Sequence, residues 1–304
     1  MSKKALLKRE RVMAKRIITS IVGLPILIAI VYFGGIALQL GFLVLSCIAL
    51  TEFYSSLKNS PPSPADNKII EFPVRGRKAL FSHISVNYIS YAFTALYYLL
   101  LLPNVNNGAY FFILITAFII VLMVTMVLFY GKVNIVDCAI ALFGFFYTAF
   151  PLSFIYLIRV QRYGEYFVWL VFITAFGCDS FAYLIGKALG RHKLAPGLSP
   201  NKTVEGAVGG VAGACLLSVL FGMFIYKWFH LTEINAKIIF AIVGIVGAVF
   251  ATFGDLAASS VKRYTGIKDF GKIFPGHGGV LDRFDSVIFA APMMYMAILL
   301  LPKY

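Results

Sequence analysis

Charge is what this 304-residue sequence has least of. Asp, Glu, Lys and Arg together make up 13% of it, and only 13 residues are acidic. A chain so poor in charge, 60% apolar and with a mean hydropathy of +0.87, is excluded from the ordinary soluble domains. Cysteine is scarce too. Cys47, Cys138, Cys178 and Cys215 stand singly in apolar segments, without the paired spacing of a disulfide framework or a zinc site, and read as reduced packing residues. No internal repeat, low-complexity tract or second globular domain is visible. The formal net charge of +14 raises the question of nucleic acid, but no nucleic-acid module accompanies it. No nucleic-acid partner is expected.

What the chain has instead is long apolar runs. A helix needs roughly 20 apolar residues to cross a bilayer. Nine candidate spans fall near 17–33, 36–57, 84–102, 109–130, 135–157, 165–187, 205–226, 237–261 and 284–301. The expected fold is therefore an all-α polytopic integral membrane protein of about nine transmembrane helices. The first run is short, carries Pro25 and follows a basic start, as in a signal peptide. It exceeds a typical signal core and lacks a small-x-small cleavage site, so a retained helix is expected.

Lysine and arginine gather in cytoplasmic loops. Counted alternately, the N-terminus, 58–83, 131–134, 187–204 and 262–283 hold 7, 5, 1, 4 and 5 of them, 22 of the 27 in the chain. The opposite side keeps Arg159, Arg162, Lys227, Lys237 and Lys303. The bias predicts a cytoplasmic N-terminus. It also puts the two loops richest in chemistry-bearing residues on the nucleotide side. The 58–83 insertion, with four prolines and Arg75-Gly76-Arg77-Lys78, reads as an irregular loop touching headgroups. Two regions follow: 1–162, with helices one to five and that loop, and 163–304, with helices six to nine and the loops 187–204 and 262–283.

Ionisable residues inside apolar runs are expensive and usually mark function, and three constellations stand out. Asp179, Tyr183 and Gly186 lie at i, i+4 and i+7, on one helix face; Asp179 is either a site residue or a structural carboxylate bonded to a neighbouring helix. The loop 190–206 offers Lys193, Ser199, Asn201, Lys202 and Thr203, with Thr203 as N-cap and Glu205 in the first turn of the next helix. Such a helix start suits a phosphate, although a plain basic loop with a good cap would share the charges. In the third, Asp255, Ser259 and Lys262 recur at i, i+4 and i+7 and Arg263 flanks them. Asp282 and Asp285 follow a Pro-Gly-His-Gly-Gly turn, and helix pairing could bring Asp282 to Asp255. Carboxylates beside phosphate oxygens suit Mg²⁺, and Gly276, Gly278 and Gly279 would let backbone approach a phosphate. His277 is either a phosphate donor or a turn residue. The turn lacks the Gly-Lys-Ser/Thr ending of a Walker A loop.

Ser260-Val261-Lys262-Arg263, Lys268-Asp269, Pro275 to Gly279 and Asp282-Arg283-Phe284-Asp285 together resemble the signature of the phosphatidate cytidylyltransferases, the integral-membrane CDP-diacylglycerol synthases. Asp179 to Gly186 and Ser199 to Gly206 resemble that family as well. The likeness covers roughly 175–290 and is weaker before it. It implies transfer of the cytidylyl group of CTP to phosphatidic acid with Mg²⁺. Asp255 and Asp282 would anchor a metal centre, which in the family pairs Mg²⁺ with K⁺. Ser259, Lys262, Arg263, His277 and Asp285 would complete the catalytic site. Lys193, Ser199, Asn201, Lys202, Thr203, Gly278, Gly279 and Asp179 would serve substrate binding. The resemblance also implies a homodimer with a polar cavity open to the cytoplasm and laterally to lipid, while a compact chain with short loops suits a bacterial inner membrane. The Gly206/Gly210 and Gly209/Gly213 pairs suit close helix packing, at a dimer interface or within one subunit. Two other readings use the same residues: a related lipid or polyprenol kinase, and a secondary transporter of an anionic metabolite. The one-sided clustering and absence of repeats disfavour the transporter.

Overall fold

In hydrocarbon a backbone must satisfy its own hydrogen bonds, so apolar runs become helices. The computed structural model describes residues 21, 23–58, 84–101, 108–226, 233–274 and 278–300. Its helices are α1 (Gly23–Phe33), α2 (Gly35–Lys58), α3 (Ile84–Leu96), α4 (Gly108–Leu128), α5 (Ile135–Gly144), α6 (Phe150–Arg159), α7 (Gly164–Leu189), α8 (Val204–Ile225), α9 (Glu233–Thr265) and α10 (Leu281–Leu300). Two π-helical segments, Tyr97–Leu101 and Phe145–Ala149, extend α3 and join α5 to α6. A short hairpin of β1 (Lys193–Ala195) and β2 (Ser199–Thr203) separates α7 from α8.

Among the described residues seven segments are long and apolar enough to cross a membrane: α2, Ala109–Leu128, Ile135–Arg159, α7, α8, Lys237–Thr265 and α10. The other two of the nine expected spans fall on α1, a shorter apolar helix, and on α3 with its π extension. The chain is an all-α integral membrane protein. The expectations placed on the N-terminal basic segment, on 59–83 and on Gly276 and His277 lie outside the described residues.

Two compact units divide the chain: Met1–Ser153 with Lys262–Arg283, and Phe154–Val261 with Phe284–Tyr304. The core of the first is aromatic. Phe93 stacks on Phe118 at 4.0 Å, and Phe145 meets Phe93, Tyr97 and Phe118 edge-on. The buried Tyr98 hydroxyl lies 2.8 Å from Ser46 Oγ and donates to the Ala149 carbonyl at 3.0 Å, while Gln39 donates to the Tyr98 carbonyl. These bonds tie α2 to both π segments, where the regular helical ladder is interrupted.

In the second unit α7 and α8 pack along their small residues. A Cβ on Gly210 would lie 2.8 Å from the Cys178 carbonyl oxygen, one on Gly206 2.8 Å from that of Ala182, and one on Gly213 would collide with the Phe181 ring. Both glycine pairs noted in the sequence therefore serve contact inside one subunit. Backbone and ring cannot yield as a flexible side-chain end would. Gly210→Val is expected to destabilise the protein by about 1–3 kcal/mol, the usual cost of overpacking, measured as a fall in unfolding temperature in detergent.

Candidate active site

The second unit builds its polar centre around the hairpin. β1 and β2 run antiparallel, pairing Lys193 with Thr203 and Ala195 with Ser199. Thr203 caps α8: its backbone is extended and its Oγ1 accepts the Gly206 N–H at 3.1 Å. Glu205, in the first turn, reaches back to the base of the hairpin. Its carboxylate accepts the N–H of Arg191 at 3.0 Å and of His192 at 3.2 Å, and lies 2.6 Å from His192 Nδ1. The segment read from the sequence as a basic loop with a cap is thus an ordered hairpin, pinned by Glu205 before its first strand and by Thr203 at the end of its second.

Beneath the hairpin lies a cavity of about 440 Å³ whose wall includes Asp179, Tyr183, Ser199, Lys202, Asp255 and Ser259. Gly186, Asn201 and Thr203 also line it, whereas Lys193 is exposed and does not. The i, i+4, i+7 face of α7 and the Asp255–Ser259 step of α9 therefore open on one space. Lys202 is ion-paired with Asp255, and Asp179 accepts a hydrogen bond from Ser286 Oγ at 3.0 Å. Asp285 is buried and accepts the N–H of Ser286 at 2.8 Å. A cavity on which charged and hydroxyl groups converge is a form that a site for a polar small molecule takes.

The first unit holds the other cluster, around the segment before α10. Asp282 is buried; its Oδ2 accepts the N–H of Phe270 at 2.7 Å and of Gly279 at 3.0 Å, and its Oδ1 lies 3.1 Å from Lys262 Nζ. Lys262 also lies 5.4 Å from the centre of the Phe270 ring, a cation–π distance. Gly278 takes φ +88°, open to glycine at little cost, and a Cβ there would meet the Asp282 carboxylate at 2.7 Å. Arg263 is exposed.

One residue of this cluster escaped the sequence reading. Glu52, on α2, is buried and accepts the N–H of Val280 at 3.0 Å and of Leu281 at 2.8 Å. The signal was available: a carboxylate inside the 36–57 apolar run meets the same criterion that drew attention to Asp179.

The donor chemistry suits Mg²⁺ in part. Among the described residues no three His, Cys, Asp or Glu gather as a metal-holding group. Mg²⁺ at a nucleotide, however, needs only one or two carboxylates beside phosphate oxygens and water. Asp179 and Asp255 on one cavity supply such a pair. Asp282 has already committed three of the roughly four lone-pair positions of a carboxylate.

A sequence model of the cytidylyltransferase family matches residues 14–301. The chain belongs to the cytidylyltransferase family. Among its relatives, proteins named phosphatidate cytidylyltransferase from Staphylococcus haemolyticus and Staphylococcus epidermidis are 30% and 31% identical over 288 residues, 93% of this chain and 97% of each of theirs. One from Staphylococcus saprophyticus is 38% identical over 164 residues, 54% of this chain and 60% of that protein. Both polar clusters lie within the residues matched to the cytidylyltransferase family.

Removing Lys262 would leave a buried carboxylate without its cation. Lys262→Met is expected to destabilise the folded protein by about 3–5 kcal/mol, the cost of breaking a buried pair from one side. Thermal unfolding in detergent checks it, and the double variant Lys262→Met/Asp282→Leu should recover part of the loss.

Proposed function

We propose that this chain transfers the cytidylyl group of CTP to phosphatidic acid, giving CDP-diacylglycerol and pyrophosphate. The observation that carries the reading is the cavity with Asp179, Asp255, Lys202 and two serines, in a membrane-spanning cytidylyltransferase-family chain. Both cations and hard oxygen donors are at hand for a triphosphate, and the surrounding helices suit a lipid co-substrate.

The chemistry asks little of the protein beyond alignment and charge. A phosphate oxygen of phosphatidic acid attacks the α-phosphorus of CTP; the new P–O bond forms as the bond to the β-phosphate bridge breaks and pyrophosphate departs. An ionised phosphomonoester is already nucleophilic, so no serine or cysteine nucleophile is required. Catalysis comes from positioning and charge neutralisation, as in phosphoryl transfer generally. Mg²⁺, with or without K⁺, would neutralise the triphosphate when bound, and Asp255 would hold it beside Asp179, which lines the same cavity; for Asp282 a metal-holding role is only what the family resemblance implies. Lys202 exchanges its ion pair with Asp255 for substrate phosphate, and the Ser199 and Ser259 hydroxyls orient phosphate oxygens. Lys262 and Arg263 supply further phosphate contacts, Lys as a movable point charge and Arg as a bidentate fork.

The positive-inside count supports an inner-membrane enzyme whose chemistry faces the cytoplasm. A homodimer is part of the same reading. Its interface would lie away from the glycines of α8, which already pack on α7.

The test uses purified protein in mixed micelles with phosphatidic acid, Mg²⁺ and CTP labelled on the α-phosphate. Label should enter the lipid with matching pyrophosphate release. Transfer of γ-label instead would indicate a kinase and sink the reading. Chelation of divalent metal is expected to stop turnover and added Mg²⁺ to restore it. Asp255→Asn is expected to lower kcat roughly 10²–10³-fold, the scale seen on losing one preorganised electrostatic group.

A further inference from the structure

Glu52 occupies a costly position. It lies within α2, a helix long and apolar enough to cross the membrane, and a carboxylate buried there must be met by donors. Its donors are the N–H groups of Val280 and Leu281, more than 220 residues further along the chain. These are orphan donors at the N-terminus of α10, a position usually capped by a side chain next to it in sequence. Here another helix supplies the cap.

The glycines around it fit that arrangement. A Cβ on Gly279 or on Gly271 would run into the Glu52 carboxylate. The same short stretch is gripped from its other side by Asp282, which accepts the N–H of Gly279 and Phe270 and orients Lys262. Two carboxylates thus hold one segment: Glu52 takes the donors of 280 and 281, and Asp282 those of 279 and 270. If Glu52 lets go, the amides of residues 280 and 281 lose their partner, and Asp282, next in the chain, loses its fixed relation to Lys262.

We infer that Glu52 is a positioning residue of the cytidylyl-transfer site, acting through Gly279–Leu281 on Asp282 and Lys262 without touching substrate. The inference rests on the proposed activity. The full-length wild type is therefore assayed first, with phosphatidic acid, Mg²⁺ and α-labelled CTP in mixed micelles; no transfer there counts against the activity itself, not against Glu52. With the wild type active, Glu52→Gln keeps the shape but turns an NH₂ group toward a backbone donor. Its kcat per folded molecule is expected to fall at least fivefold, by more than any rise in the KM of CTP or phosphatidic acid. Gly279→Ala, which presses on the same carboxylate, should behave alike. The double variant should lose no more than the worse single one, because both break one contact. A folded Glu52→Gln whose kcat falls less than fivefold, a loss carried mainly by KM, or losses that multiply in the double variant would overturn the inference. Should Glu52→Gln not fold, Glu52→Asp, which keeps the charge, is judged by the same thresholds. Failure of all the single variants to fold would make Glu52 a fold brace only.

Discussion

A carboxylate buried among apolar helices has to be answered by donors, and much of this structure is an answer to that demand. Glu52 and Asp282 together take four backbone N–H groups and one ammonium, Asp255 takes the ammonium of Lys202, and Asp179 takes a serine hydroxyl. The partners are loop amides, the N-terminus of α10, a lysine on the hairpin, a lysine in the last turn of α9 and a serine early in α10. The polar residues are therefore concentrated where helices end, even when the carboxylate itself sits inside a helix.

That demand also accounts for the glycines of the signature segment. Gly271 and Gly279 are bare because a carboxylate from α2 lies where their side chains would be, and Gly278 because Asp282 crowds it and φ is positive. The amides of residues 279–281 are engaged by Glu52 and Asp282. A Gly-rich turn ahead of a helix invites the expectation of a phosphate cradle. In this chain the amides of Gly279, Val280 and Leu281 meet the protein's own acids.

The helical architecture was legible because its signal is local: long apolar runs and helical spacing. The face formed by Asp179, Tyr183 and Gly186 and the cap at Thr203 could likewise be read from spacing of a few residues, and they line one cavity. The hairpin escaped notice because strands of three and five residues, the longer containing a proline, leave too short a period-two pattern to detect. Glu205 was readable as a first-turn acid, but its turn back to Arg191 and His192 depends on that hairpin. The π segments have no sequence signature of their own. Glu52 was overlooked for a different reason: its partners are amides, which look the same in every sequence, and they lie across the whole length of the chain.

The length of α9 has one more consequence. Its 33 residues make a rod of about 50 Å at 1.5 Å per residue, against roughly 30 Å of hydrocarbon. A crossing begun at Lys237 is complete after about 20 residues, near Leu256. In an upright helix the remaining turns, which bear Ser259, Lys262 and Arg263, would overhang the oily layer. Such an overhang would act as a depth gauge, carrying a hydroxyl and two cations to the level where a lipid's phosphate ends and water begins.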